Sequence, residues 1–184
     1  MIFKETTLKG AYTIDIEPVK DERGYFARIF CVDQFHKAGL EFEGAQCNIS
    51  YNKKMGTVRG MHYQVAPHEE IKVVRCTEGA IFDAIVDLRE SSPTFGKWYG
   101  EVLDAGANRA LYVPRGFAHG YLSLTPDATV HYMVSEPYYP ECERTLRWDD
   151  PFVGIQWPKM QRYIVSWKDR NAGYFNEISC MKVA

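Results

Sequence analysis

The sequence predicts an all-β domain, an antiparallel sandwich or barrel, on three observations. Short runs rich in β-branched and aromatic residues recur at a spacing of about 8–12 residues, as they do in sandwiches and barrels. Turn signals separate these runs. Aromatic residues make up 14% of the chain, with 12 Tyr, 10 Phe and 4 Trp, which favours pleated strands and an aromatic-lined cavity. The 184 residues carry no internal repeat and no flexible linker, so one domain over residues 1–184 is predicted.

The strand signals follow one another along most of the chain. Strands are predicted over residues 12–19, 25–31, 45–51, 57–63, 70–76, 80–88, 97–103, 110–113, 120–124 and 129–135. Residues 52–56 are typical of a hairpin turn between the runs that flank them. Residues 77–79 predict another tight turn, because Gly79 accepts a positive φ.

Helical signals are few. A short early helix is predicted over residues 32–38, with Gly39 placed as its C-terminal cap. Prolines and glycines punctuate the chain beyond Trp148 and predict a small C-terminal segment of loops, with a short helix near residues 168–172.

Charge and hydropathy exclude several classes of protein. Lys and Arg number 22 against 24 Asp and Glu, a formal charge of −2, which is not the balance of a generally basic nucleic-acid binder. No apolar run is long enough to span a membrane, and residues 1–10 lack the apolar core of a signal peptide. The sequence therefore predicts a cytoplasmic protein without nucleic-acid or membrane partners.

The cysteines do not form a metal or disulfide pattern. They are odd in number, scattered, and never in a C-x-x-C pair: Cys31, Cys47, Cys76, Cys142 and Cys180. A disulfide framework or zinc cluster is not expected. Each cysteine is expected to be a small buried apolar residue.

Two histidine neighbourhoods carry the first chemical signal. In the run 59–64, strand alternation places Gly60, His62 and Gln64 on one face, with Arg59 on the other face or at the strand end. A Pro-x-Gly turn then leads to His119. The two segments resemble the paired motifs of the cupin superfamily, double-stranded β-helix barrels.

The cupin resemblance leaves a metal interpretation open. Metal-binding cupins carry H-x-H followed by Glu in the first motif and a His in the second. Here Gln64 stands at the second His position, and an amide oxygen is a poor ligand for the metals that imidazole suits. Glu69 nevertheless has a plausible spacing. A metal-dependent enzyme using His62, Glu69 and His119 is therefore one alternative.

Three further residues fit a proton-transfer interpretation. Lys72 and Tyr132 lie on predicted strands, with His131 on the face opposite Tyr132, and Asp169 lies near the C-terminal helix signal. Each also has an ordinary interpretation: a solvated strand lysine, a packing tyrosine and a surface carboxylate.

The complete set of motifs, in order, is more specific than any member. The segments are Asp21 to Phe26, Gln46-x-Asn48-x-Ser50, Arg59-Gly60-x-His62-x-Gln64, Lys72 to Cys76, Val86 to Gly96, Leu111 to Gly120, Trp148-x-Asp150 and Ser166-x-Lys168-Asp169. Together they resemble the dTDP-4-dehydrorhamnose 3,5-epimerase family, a metal-independent cupin family, over about residues 1–175. The resemblance implies a cupin-type jelly-roll barrel without cofactor or metal.

The resemblance also implies a reaction. The family inverts C3, C5 or both of a nucleotide-diphosphate 4-keto-6-deoxyhexose, removing a proton next to the C4 ketone and returning one from the opposite face. By motif match His62 is the base, Asp169 orients it, and Tyr132 is the acid. Lys72 stabilises the enolate oxygen and His119 contacts the sugar near it. These residue types suit such roles.

Ligand-binding positions follow from the same match. They are Arg23 and Arg59 for the diphosphate, Gln46 and Asn48 as further ligand contacts, Phe26 and Tyr138 for the nucleobase, and Glu143 and Lys168 as polar contacts. In the family the Arg23 stretch reaches the site of the partner subunit, which implies a homodimer.

Three departures leave alternatives open. Arg28 stands where the family usually has Glu near the nucleotide, so dTDP, CDP and GDP are all candidates. Segment 66–70 occurs in only part of the family and is expected near the sugar, and Trp167 replaces a commoner Glu. A 3- or 5-epimerase, a ketoisomerase and a non-catalytic sugar-binding cupin are the remaining alternatives.

Overall fold

The computed structural model describes residues 1–180, with side chains through residue 177, and it is an all-β domain. Its strands are β1 (Ile2–Glu5), β2 (Tyr12–Asp15), β3 (Val19–Asp21), β4 (Gly24–Phe26), β5 (Gln46–Asn52), β6 (Thr57–Gln64), β7 (Lys72–Glu78), β8 (Ala80–Asp87), β9 (Trp98–Asp104), β10 (Arg109–Val113), β11 (Phe117–Ser123), β12 (Ala128–Val134), β13 (Glu143–Thr145) and β14 (Ile164–Val165). Its helices are α1 (Val32–Lys37), α2 (Trp167–Arg170) and α3 (Phe175–Cys180).

Two large sheets form the jelly roll. The first has the strand order β1-β2-β10-β7-β12-β5, and the second has the order β13-β6-β11-β8-β9. Strand β14 adds to β6 in parallel, whereas the other strand pairs are antiparallel. The short hairpin of β3 and β4 pairs with neither large sheet. The predicted fold class is confirmed.

The hairpin prediction for residues 52–56 is wrong, although the turn exists. Strand β5 pairs with β12 in the first sheet, and β6 pairs with β11 in the second. The tight turn at residues 77–79 likewise carries the chain from β7 to a strand of the other sheet. Turn residues permit a sharp reversal of the chain, but distant strands decide whether its two arms pair with each other.

The early strands are shorter than predicted. The run 12–19 is divided between β2, which ends at Asp15, and β3, which begins at Val19. Pro18 precedes β3 and has no backbone N–H to donate to a ladder. The run 25–31 ends at Phe26, and the chain then enters α1. That helix matches its prediction, with Gly39 at φ +73° just beyond its end.

The barrel core lies between the sheets. Val74 of β7, Ile85 of β8, Leu111 of β10 and Phe117 of β11 belong to one buried cluster, and Tyr132 packs against it. The candidate acid therefore extends directly from the core.

A second cluster covers the outer face of the first sheet. Phe35 of α1 packs with Phe42 and Tyr112.

Within residues 1–180 no helix has the length and apolar content needed to cross a bilayer.

Candidate active site

His62 and His119 face each other inside the barrel, because they are register partners on β6 and β11. They share a cavity of about 230 Å³ with five other residues. These are Ser50, Arg59, Lys72, Tyr121 and Tyr132. The cavity brings together the histidines, the lysine and the tyrosine that the sequence singled out.

His62 is held by Asp169. The Nε2 of His62 lies 2.7 Å from Oδ1 of Asp169, whose side chain is almost fully buried. The second carboxylate oxygen accepts from the backbone N–H of Gly60, and Ser166 caps α2 by accepting from the Asp169 N–H. Burial alone would raise the pKa of Asp169, but these hydrogen bonds and the His62 charge hold that pKa below its usual value.

His119 has its own buried carboxylate, which the sequence analysis missed. Its Nε2 lies 2.7 Å from Oδ1 of Asp83, a fully buried residue of β8. The other oxygen, Oδ2, is buried and has no hydrogen-bond partner among the residues that the structure describes. A signal did exist, because Asp83 interrupts a strand that is otherwise almost entirely apolar, and a buried carboxylate needs a partner.

Lys72 is buried, so the solvated-lysine interpretation is wrong. Its Nζ lies 3.0 Å from Oε1 of Glu70, and only 11% and 12% of the two side chains are exposed. Glu70 belongs to segment 66–70, which was expected near the sugar, but the residue itself was not predicted as a site residue.

Tyr132 lies on β12 and reaches the cavity from the sheet opposite His62. Burial is the main cause of a raised pKa for its hydroxyl, and the charge of Glu70 adds to it. His131 points to the other face, as alternation predicted, and its Nε2 lies 3.0 Å from Sγ of Cys47.

Strand alternation predicts that Arg59 lies on the face opposite His62 or at the strand end, but Arg59 lines the same cavity as His62. The register of β6 against β11 shifts at this point: His62 pairs with His119, but Arg59 pairs with Tyr121. Strand β6 therefore carries one extra residue, a bulge that turns Arg59 inward. The guanidinium Nε donates to Oδ1 of Asn52 at 2.9 Å.

The bulge depends on a close approach of two backbones. Gly60 has a φ of +119°, and a Cβ at that position would lie 2.5 Å from the Cα of Gly120. Glycine is therefore required there both for the backbone angle and for the space.

A second cavity, of about 270 Å³, continues from the first and holds several of the predicted binding residues. Gln46, Asn48, Tyr138 and Glu143 line it together with His62, Lys72 and Tyr132. Glu143 links Tyr138 and Lys168 at the rim of this cavity. Its Oε2 accepts from the Tyr138 hydroxyl at 2.7 Å and pairs with Lys168 Nζ at 2.5 Å. Burial would raise the pKa of Glu143, but Lys168 and Tyr138 bring it below its usual value.

Four predicted binding residues do not line either cavity. One is Lys168, which reaches the rim of the second cavity only through its pair with Glu143, and the other three lie together near the N-terminus. Arg23 and Phe26 lie on the exposed β3–β4 hairpin, where Arg23 pairs with Asp21, and Arg28 is exposed just beyond it. The structure thus separates this group from the residues around His62.

The metal alternative is not supported by the geometry. Glu69 lines a different cavity, beside Arg89 and Gly116, so it does not join His62 and His119. No group of three or more His, Cys, Asp or Glu within the described part of the chain is placed to hold a metal ion.

Gln64, at the second His position of the cupin motif, forms hydrogen bonds to the backbone of two loops. Its Nε2 donates to the carbonyls of His68 and Pro137, at 3.0 and 3.1 Å. Its Oε1 accepts from the Tyr139 N–H at 2.7 Å. The amide thereby fixes the two loops that flank the second cavity.

The cysteines only partly match their prediction. Cys76 and Cys142 are buried, Cys31 is half-buried, and Cys47 is exposed, contrary to expectation. The Cys180 side chain lies outside the described residues.

Known proteins resemble this chain over nearly its full length. The family model for dTDP-4-dehydrorhamnose 3,5-epimerase matches residues 5–177. An enzyme of that name from Sinorhizobium fredii is 43% identical over 169 residues, which is 92% of this chain and 87% of the relative.

Solved structures agree with the sequence relatives. The dTDP-4-dehydrorhamnose 3,5-epimerase of Elizabethkingia anophelis superimposes with a TM-score of 0.93 at 39% identity, covering 96% of this chain and 97% of that one. The dTDP-6-deoxy-D-glucose-3,5-epimerase of Legionella pneumophila, in complex with dTDP-4-keto-L-rhamnose, gives 0.92 at 32% identity, covering 98% and 95%. With its jelly roll and its paired histidines, the chain therefore belongs to the dTDP-4-dehydrorhamnose 3,5-epimerase family of isomerases.

Proposed function

We propose that this protein inverts C3 and C5 of a dTDP-linked 4-keto-6-deoxyhexose, with His62 as the base and Tyr132 as the acid. One observation carries the proposal: the two side chains line one cavity but come from opposite sheets of the barrel. A sugar ring between them would meet a base on one face and an acid on the other, which is what inversion requires.

The proton is removed next to the C4 ketone, where its loss gives an enolate. His62 accepts the proton on Nδ1, because its Nε2 faces Asp169, and that carboxylate stabilises the imidazolium. The developing charge on the C4 oxygen meets the Lys72 ammonium and His119, which line the same cavity. Tyr132 then supplies a proton to the opposite face.

The nucleotide is held by the second cavity and by a second subunit. A two-stranded hairpin is marginally stable alone, and Val19, Tyr25 and Phe26 of the β3–β4 hairpin are all largely exposed. We infer that a homodimer covers this hairpin and brings Arg23 to the partner's diphosphate site, opposite Arg59.

The base is assigned as thymine, in line with the dTDP-sugar in the Legionella relative. Arg28 keeps CDP and GDP as alternatives, and the departures at segment 66–70 and Trp167 keep single-site epimerisation as a second candidate. The cytoplasmic location remains a prediction.

Deuterium incorporation tests the reaction. In deuterated water, dTDP-4-keto-6-deoxyglucose should gain deuterium at C3 and C5, read by proton NMR. Label at one carbon selects the single-site epimerase. No label with the dTDP sugar, but label with the CDP or GDP sugar, reassigns the nucleotide. No label with any of the three contradicts the proposed function.

The variant His62→Ala tests the identity of the base in the same experiment. It should abolish exchange at both carbons, because no other base in the cavity is paired with Asp169. Exchange that persists in this variant would remove His62 from the base role.

A further inference from the structure

Glu70 is a charged residue inside the site that the reaction, as described, does not use. It lines the second cavity together with Lys72 and Tyr132. Its carboxylate lies 3.0 Å from the Lys72 ammonium, and both side chains are nearly buried. Taking two charges out of water is costly, so a buried ion pair is weak evidence for stability and calls for another explanation.

The backbone fixes this ion pair to the strand of the candidate acid. Ile71, between Glu70 and Lys72, donates its N–H to the Ser135 hydroxyl at 2.8 Å. The Ser135 N–H donates in return to the Ile71 carbonyl at 3.0 Å. Ser135 directly follows β12, which carries Tyr132. The position of Glu70 is therefore set relative to Tyr132 as well as to Lys72.

The charges around Tyr132 show what Glu70 opposes. The polar groups that face Tyr132 and Lys72 come from several elements. Strand β6 contributes Arg59 and His62, and Asp169 of α2 lies behind His62. Strand β11 contributes His119 and Tyr121, with Asp83 of β8 behind His119, and the set is completed by Glu143 of β13 and by Tyr138. Burial raises the pKa of Tyr132 most, Glu70 raises it further, and Arg59 lowers it. A cation that binds diphosphate thus favours loss of the phenol proton, and Glu70 counters it.

We propose that Glu70 is a positioning residue of the epimerase, which fixes the Lys72 ammonium in the cavity wall and places a negative charge in the cavity that Tyr132 shares. The proposal rests on the proposed function for its catalytic meaning. It requires that removal of the charge, with the shape retained, frees the Lys72 ammonium from its fixed position and removes the anion near Tyr132. The Tyr132 hydroxyl would then lose its proton at a lower pH.

The test compares Glu70→Gln with the wild type in two measurements. The first needs no substrate: tyrosines are labelled with ¹³C at Cζ, Tyr132 is assigned from the signal lost in Tyr132→Phe, and its ionisation is followed by NMR. The Tyr132 midpoint should fall by about one pH unit in Glu70→Gln. The second is the pH profile of kcat, whose alkaline limb should move towards neutral pH by a similar amount, with KM nearly unchanged.

Two further variants separate the charge from the fold. Glu70→Asp keeps the negative charge, so the ionisation midpoint of the Tyr132 hydroxyl should return most of the way to its wild-type value. Glu78→Gln makes the same substitution at the exposed end of β7, where Glu78 accepts from Thr129, and should move neither measurement.

The outcomes distinguish the two proposals. An unmoved Tyr132 midpoint in folded Glu70→Gln overturns the role of Glu70 alone. A lowered midpoint with an unmoved alkaline limb shows that the charge does not serve the reaction, and also overturns it. Wild-type protein that labels none of the nucleotide sugars overturns the proposed function, whatever the NMR titration gives.

Discussion

His62 and His119 lie directly opposite each other on neighbouring strands, and each binds a buried aspartate through Nε2 at 2.7 Å. Their exposures differ: 32% of the His62 side chain is exposed, against 10% for His119. The more accessible imidazole is the better placed to exchange protons with a substrate. The enclosed one is better suited to donate a fixed hydrogen bond to a developing oxyanion.

Asp169→Asn should therefore reduce catalysis far more than stability. The amide keeps the shape but cannot stabilise the imidazolium, so kcat should fall by about 100-fold or more, while the thermal midpoint changes little. The measurement is the rate of deuterium exchange under substrate saturation. Asp149→Asn, at an exposed carboxylate paired with Arg147, is the matched control and should exchange at the wild-type rate.

Tyr132→Phe should separate the two half-reactions. His62 can still remove and return a proton on its own face, so exchange should continue, whereas inversion should fall by about 100-fold. Proton NMR follows the label and the epimer in one sample. Equal loss of exchange and inversion would count against Tyr132 as the acid of the opposite face.

Mixed dimers should reveal a shared active site. Arg23→Ala and His62→Ala subunits are each expected to be impaired alone. In a mixed dimer, one site combines an intact His62 with Arg23 from the partner, so activity should recover on mixing and refolding. Absence of recovery, with dimers present by light scattering, would show that Arg23 does not act across subunits.

The close approach at Gly60 should be essential to stability. Gly60→Ala introduces a Cβ against the Gly120 backbone at a positive φ, which should cost about 2 kcal/mol or more and lower the thermal midpoint by about 4–8 °C. Gly24→Ala is the matched control, since its φ is +129° but nothing lies within 4 Å of the new Cβ. A larger loss at Gly60 than at Gly24 isolates the contact from the backbone angle.

Asp87 should contribute to stability above acidic pH. Burial would raise its pKa, but hydrogen bonds from Arg89, Ser92 and Thr94 hold it below the ordinary value of 3.8. The folded state thus favours the ionised form, so this contribution is complete above about pH 5 and declines as the pH falls through 3.8 towards the lower folded pKa. Urea unfolding from pH 2 to 7 should show a flatter pH dependence in Asp87→Asn than in Asp33→Asn, at an exposed carboxylate of α1.

The sequence predicts the local features of the fold well and the long-range pairing of its strands poorly. Alternation is local, so it located β6, β8 and β12 closely. Pairing is not local, so the turn at residues 52–56 was taken for a hairpin although its two strands lie in different sheets. Strands β13 and β14 were missed because they have only three and two residues, too few for a period to emerge.

The candidate site divides in a similar way. His62 and Tyr132 were found from sequence, since motif order and strand faces point to them. Arg59 was expected on the other face or at the strand end. It lines the same cavity as His62 because a bulge reverses alternation, and the bulge depends on how β6 meets β11. Asp83 was missed because it matters through one tertiary contact, with His119, that no short motif records. Glu70 is only two residues from Lys72, but the burial that sets their ion pair apart from a solvated one depends on how the sheets pack.

Because Tyr132 and His62, the proposed acid and base, come from different sheets, the thickness of the barrel core sets the distance between them. Packed sheets stand about 10 Å apart, and interiors packed at crystal-like density transmit small changes in volume. Leu111 is buried between the sheets and lines neither cavity, so it helps to set the distance between the proposed proton donor and acceptor. Repacking of the hydrophobic interior is accordingly a route by which stereochemical outcome can change without any alteration of the polar residues that perform it.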